Sequence, residues 1–145
     1  MDTWKKYISA GNQAFQKKQF ESAEQHYRLA CVRSAALLPN WFDVADCVAA
    51  LVVSHQNLAE VKLLQGSFDR AINIYDSLDD ILQKFVGDST GERLQVVQSA
   101  RRRLATELHY VIKKYEFSSI RAQSLLARLQ QPVTTYAMYP KEKFS

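Results

Sequence analysis

The sequence predicts an all-α fold of about six helices, paired into three stacked hairpins as a helical solenoid. Three observations carry this. The 145 residues include only four Gly and three Pro, well under half the average usage of the two together. That is too few turn-formers for the many tight connections of a sandwich or barrel. Apolar residues recur at spacings of three and four along most of the chain, the period of a helix face. Small and aromatic residues also return at a fixed offset of 48, as from Phe20 to Phe68. With 47% apolar or aromatic residues, the composition is that of a folded domain and not of a disordered chain. The length suits one domain with its own core.

Residues 2–18 form the first helix, with Trp4, Tyr7, Ile8, Gly11, Ala14 and Phe15 on one stripe. Phe20, Ala23, Tyr27, Ala30, Cys31 and Leu37 continue the period as a second helix, which Pro39 ends because proline cannot extend the hydrogen-bond ladder. Asn40 or Asp43 caps a third helix, from about residue 41 to Gln65, that includes Trp41, Phe42, Val48, Leu51 and Leu58. Gly66 stops it. Ser67 opens a fourth helix carrying Phe68, Ala71, Ile72, Tyr75, Leu78 and Leu82. The segment Val86 to Gly91 is a loop. A fifth helix runs from about Glu92 to Tyr115 with Val97, Leu104, Leu108 and Val111 inside. Ser118 or Ser119 caps a short sixth helix that ends before Pro132. These assignments give a helical domain at 1–131, with repeats at about 2–39, 40–86 and 91–131, and a tail at 132–145.

The N-terminal stretch has no apolar run of the kind a secretory signal carries. The longest apolar stretch, Val48 to Val53, is too short to cross a bilayer. The expected location is cytoplasmic, with no membrane partner. Cys31 and Cys47 sit in apolar helical runs and match no metal or redox spacing, so both are expected as buried free thiols. The net charge of +4 is unevenly spread: residues 1–92 carry −3 and residues 93–145 carry +7. Such a split suits an acidic partner for the second half, attraction between the halves, or a solvated basic helix face.

The internal repeat is the most informative feature. Gly11, Phe20, Ala23, Tyr27 and Ala30 correspond to Ala59, Phe68, Ala71, Tyr75 and Leu78. Small residues let two antiparallel helices cross closely, an aromatic at the turn covers the open end of the pair, and the tyrosine packs into the next repeat. Such pairs bury their apolar faces only by stacking. A third copy is fainter, with Phe117 lying 49 residues after Phe68. These residues resemble the tetratricopeptide repeat over about 4–31 and 55–78, with Gly66 at that family's turn glycine. The chain departs from the family in period, which is about 34 residues there. The extra residues lengthen the helices, and the closing proline is displaced to Pro39.

The resemblance implies a right-handed solenoid whose concave groove, lined by the first helix of each pair, holds an extended peptide or a partner helix. Carried onto this chain, the groove positions are Lys5, Ile8, Asn12, Phe15 and Gln16 in the first repeat. In the second they are Val53, Gln56, Asn57, Glu60, Leu63 and Leu64. Asn12 and Asn57 coincide with two asparagines that clamp a peptide backbone or C-terminal carboxylate in the chaperone-binding branch, where an amide supplies donor and acceptor together. That branch also needs a lysine where this chain has Ile8.

No catalytic constellation is visible. GDSTGE (Gly87 to Glu92) lacks the Lys-Ser/Thr and the preceding strand of a phosphate loop. His26, His55 and His109 lie on three different helices without ligand-spaced partners, Ser54 lacks a nucleophile motif, and Asp79 and Asp80 read as a solvated acidic face. No enzyme activity, metal or cofactor is expected. The leading expectation is a non-catalytic interaction module for a protein or peptide. The alternative is regulatory nucleic-acid binding through Arg101, Arg102, Arg103, Lys113 and Lys114, although these arginines pair equally well with the acidic fourth helix. Homodimerisation through Trp41, Phe42 and Val48 is a third reading. The tail, with Tyr136, Met138, Tyr139 and Phe144, would fold back over the groove or dock on a second subunit.

Overall fold

A computed structural model describes residues 1–117 and 119–133, and these are all-helical, without strands. The elements are α1 (Asp2–Gln16), α2 (Phe20–Leu37), α3 (Val44–Leu64), α4 (Phe68–Val86), α5 (Glu92–Lys114) and α6 (Ile120–Leu129). The tail residues Tyr136, Met138, Tyr139 and Phe144, and Ser118, lie outside the described residues. Contacts divide the chain into two compact units, Met1–Leu78 and Asp79–Ser145. The division falls inside α4.

In the first unit α1 packs on α2 and α2 on α3. Ala14, Ala23, Tyr27, Leu58 and Val61 form one buried cluster, with Ile8, Phe15, Phe20, Cys31 and Ile74 against it. Phe15 and Phe20 meet edge to face at 5.6 Å and close the α1–α2 turn. The close crossing is at Gly11, where an added Cβ would fall 2.5 Å from the Tyr27 ring. The positions matched across the repeat are buried alike: Ala23 and Ala71, Tyr27 and Tyr75, Ala30 and Leu78. In the second unit α5 packs on α6, and Val97, Leu104, Leu108, Leu125 and Leu129 are buried.

Helix ends follow local chemistry. Asp43, in extended conformation, accepts a hydrogen bond from the Asp46 amide at 3.0 Å and starts α3, so Trp41 and Phe42 precede the helix instead of belonging to it. Phe42 is 87% exposed while Val48 is buried, so the three residues expected on one dimerising face are not presented together. Ser119 caps α6 by accepting from the Ala122 amide at 3.0 Å.

After α3 the Gly66 amide bonds to the Leu63 carbonyl and the Ser67 amide to the Lys62 carbonyl, with Gly66 at φ +76°. This is the double bond pattern of a left-handed helix stop. After α1 the same two bonds run from Lys18 to Phe15 and from Gln19 to Ala14, with Lys18 at φ 59°. A lysine thus stands where glycine stands 48 residues later. An L-residue there is strained by about 1–2 kcal/mol, partly offset because glycine loses more backbone freedom on folding, about 0.5–1 kcal/mol. Lys18→Gly is expected to raise stability by about 0.5–1 kcal/mol and Gly66→Ala to lower it by about 1 kcal/mol. Thermal melts of the two variants should move in opposite directions. Shifts of the same sign would remove backbone strain as the explanation.

Candidate functional site

α3 is the most enclosed helix of the first unit, yet it keeps one accessible stripe. Val53, Gln56, Asn57, Glu60 and Leu64 are all partly or largely exposed, whereas Ser54, Leu58, Ala59, Val61 and Leu63 are buried. At about 100° per residue the five accessible positions fall within an arc of about 100°. Leu64 is 49% exposed, an uncovered aliphatic side chain beside polar neighbours. Leu63, also expected in the groove, belongs to the core instead.

On α1 the corresponding residues divide by chemistry. Lys5, Asn12 and Gln16 are exposed, and Ile8 and Phe15 are half-buried because their inner sides touch the core cluster. α1 and α3 are tied by Trp4, whose Nε1–H donates to Ser54 Oγ at 2.7 Å. The Ser54 hydroxyl in turn donates to the Ala50 carbonyl at 2.7 Å. A buried, doubly engaged hydroxyl has no nucleophile's freedom. Asn12 is also engaged, since Tyr27 donates its hydroxyl to Asn12 Oδ1 at 2.7 Å. The amide that the resemblance assigns to a peptide clamp therefore supports a buried tyrosine. Asn57 is half-buried on the accessible stripe.

The opposite side of α3 carries two polar surprises. His55 and Lys62 are buried, in step with Val48, Leu51 and Leu58. His55 Nδ1 donates to the Leu51 carbonyl at 2.7 Å, and burial lowers its pKa despite that bond, which favours the neutral ring. The Lys62 ammonium pairs with Glu24 of α2, which also meets Arg28 at 3.3 Å. The Lys62 hydrogen bond holds the Glu24 carboxyl below its ordinary range against the opposing effect of burial. Cys31 lies alongside, with burial pushing its thiol up to about 12, so it stays protonated at neutral pH. Cys47 is the more deeply buried of the two free thiols; Cys31 is only partly covered.

In the second unit the largest departure from expectation is Asp79. It is fully buried, not part of a solvated acidic face. Arg101 Nε donates to its Oδ1 at 2.6 Å, and Arg128 Nε and Gln83 Nε2 donate to its Oδ2 at 3.0 and 2.8 Å. Burial would raise this carboxyl, but the bonds from Arg101, Gln83 and Arg128, with the Arg101 charge, outweigh it and hold it low. Arg101 also donates to the Arg128 carbonyl at 2.9 Å and the Gln131 carbonyl at 2.7 Å, satisfying the open C-terminal end of α6. At 2% exposure Arg101 is withdrawn from any basic surface, and its partner is the acidic fourth helix. Arg102, Arg103, Lys113 and Lys114 remain exposed.

The signal for these buried charges was present in the spacing. Ile72, Tyr75, Asp79, Leu82 and Val86 form one helical stripe, as do Val97, Arg101, Leu104, Leu108 and Val111. An acid in one apolar stripe and a base in the next marks a buried pair.

Among the described residues no group of three or more His, Cys, Asp or Glu could hold a metal ion. No described helix is long and apolar enough to cross a membrane. Comparison with curated proteins and with solved structures gives no match. A family model does match, over residues 2–134, and so takes in both units. The chain belongs to that family, described as protein of unknown function (DUF2753).

Proposed function

We propose that the chain is a non-catalytic interaction module of tetratricopeptide-like hairpins, and that the α1–α3 face receives an extended peptide or a partner helix. The observation that carries this reading is the accessible stripe of α3. A helix enclosed on its other sides leaves Val53, Gln56, Asn57, Glu60 and Leu64 open, with aliphatic groups at both ends and hydrogen-bonding groups between them. That combination suits a peptide, whose backbone needs donors and acceptors and whose side chains need apolar contact. The shared burial of the repeat-matched residues and the matching turns at Lys18 and Gly66 support the hairpin architecture. With Asn12 engaged by Tyr27, Asn57 is the asparagine of the two that is offered for backbone contact.

The test is selection from a displayed random peptide library, followed by titration of the selected peptides. Val53→Asp/Leu64→Asp places two charges on exposed positions and should weaken binding at least tenfold without lowering the melting temperature. Ile120→Asp, on exposed α6, is the control and should bind normally. Failure to select any peptide, or equal binding by the double variant, would overturn the reading.

A further inference from the structure

The first unit also holds a cleft of about 530 Å³ among α2, α3 and α4, within the size range of small-molecule sites. His55, Leu58 and Lys62 contribute to it from α3. At about 100° per residue they point roughly opposite to the Val53–Leu64 stripe, so the cleft and the peptide face are separate surfaces.

Its apolar wall is Cys31, Val32, Leu58 and Ile74. Val32 is 70% exposed, an aliphatic side chain standing uncovered at the lip. The charged groups lining it are all cations: Arg28, Lys62 and Arg70. One carboxylate, Glu24, meets both Lys62 and Arg28. Arg70 is exposed and has no ion pair among the described residues. Three positive charges therefore face one negative charge beside an apolar wall. Among the described residues that line the cleft there is no carboxylate, and burial keeps the Cys31 thiol protonated. With Nδ1 donating to Leu51, His55 keeps Nε2 as an acceptor for a hydroxyl or protonated acid.

We propose that this cleft binds a small amphipathic anion. Its apolar body lies along Val32, Leu58 and Ile74, and its carboxylate or phosphate head is held by Arg70 with Arg28. A guanidinium suits either head, since its donors form a planar fork that matches two anionic oxygens at once.

The experiment titrates decanoate and decyl phosphate against the full chain, with decyltrimethylammonium as the cationic control. Both anions should bind and the cation should not, and the tighter anion identifies the preferred head. Arg70→Glu should weaken both anions at least tenfold, and Val32→Asp should do the same through the apolar end. Both side chains are exposed, so the variants should melt as the parent does. Arg70→Gln and Val32→Thr serve in their place if they do not. Amide chemical shifts on titration should change around Cys31, Leu58 and Ile74. Three results would overturn the proposal: neither anion binding, equal binding by the variants or the cation, or shift changes confined to Val53, Asn57 and Leu64. The last would assign the probes to the peptide face and leave that reading intact.

Discussion

Replacing Arg101 by methionine is expected to destabilise the protein by about 3–5 kcal/mol, the range for removing one partner of a buried ion pair. Asp79 has no exposed surface and would keep only the bonds from Gln83 and Arg128, with the closest charge gone. The same substitution frees the carbonyls of Arg128 and Gln131, which Arg101 bonds at the end of α6. Urea unfolding at pH 7, followed by helical circular dichroism, reads the loss. Asp79→Leu/Arg101→Met should recover much of it, because a matched apolar pair leaves no stranded charge. A single-variant loss under about 1 kcal/mol would place this pair among surface ion pairs, which contribute that little.

The pH dependence follows from the same geometry. The folded Asp79 pKa is lowered, so its contribution is fully present above the unfolded value of about 3.9 and is lost as pH falls through the folded value. In Arg101→Met that contribution shrinks, because burial then opposes only the bonds from Gln83 and Arg128 and acidification costs the variant less than it costs the parent. The gap between parent and variant should be widest at pH 7 and narrow steadily toward pH 4 and below. A gap independent of pH would show that Arg101 acts only through packing and the α6 carbonyls.

Local chemistry explains which features the sequence made legible. Pro39, Gly66 and Asp43 act on their own neighbours, so helix ends near them could be read directly. The error at Trp41 and Phe42 arose because two apolar residues beside a helix resemble its first turn, and only the Asp43 cap shows where the chain begins to wind. Lys18 was hidden because nothing in a lysine announces a left-handed backbone; the turn imposes it. Buried charge is a tertiary property. Asp79 and Arg101 lie 22 residues apart, and their pairing depends on which stripes meet. The same holds for Lys62 and Glu24. On the proposed peptide face, the α3 positions were carried over from the family resemblance, and Leu63 among them proves buried. The engagement of Asn12 could not be read from the sequence, because it depends on where the Tyr27 hydroxyl ends.

That crossing gives the second large expected effect. Tyr27→Ala should cost about 3–5 kcal/mol, as for other buried aromatic truncations, because the ring fills the space over Gly11 within the first-unit core. Gly11→Ala should also destabilise, by about 1–2 kcal/mol. The new Cβ would lie 2.5 Å from one ring carbon and 2.6 Å from another, and overpacking of this kind costs about 1–3 kcal/mol. The ring has little freedom to retreat, being 3% exposed and held at its far end by Asn12. Against that cost stands the higher helix propensity of alanine, worth about 1 kcal/mol over glycine. The two terms can be separated. In the Tyr27→Ala background the clash is gone and only the propensity remains, so Gly11→Ala should there stabilise by about 1 kcal/mol. The substitution is thus expected to change sign between the two backgrounds, which additive effects never produce. If urea titrations of the four proteins show Gly11→Ala destabilising equally in both, the close crossing of α1 and α2 is not what demands glycine at this position.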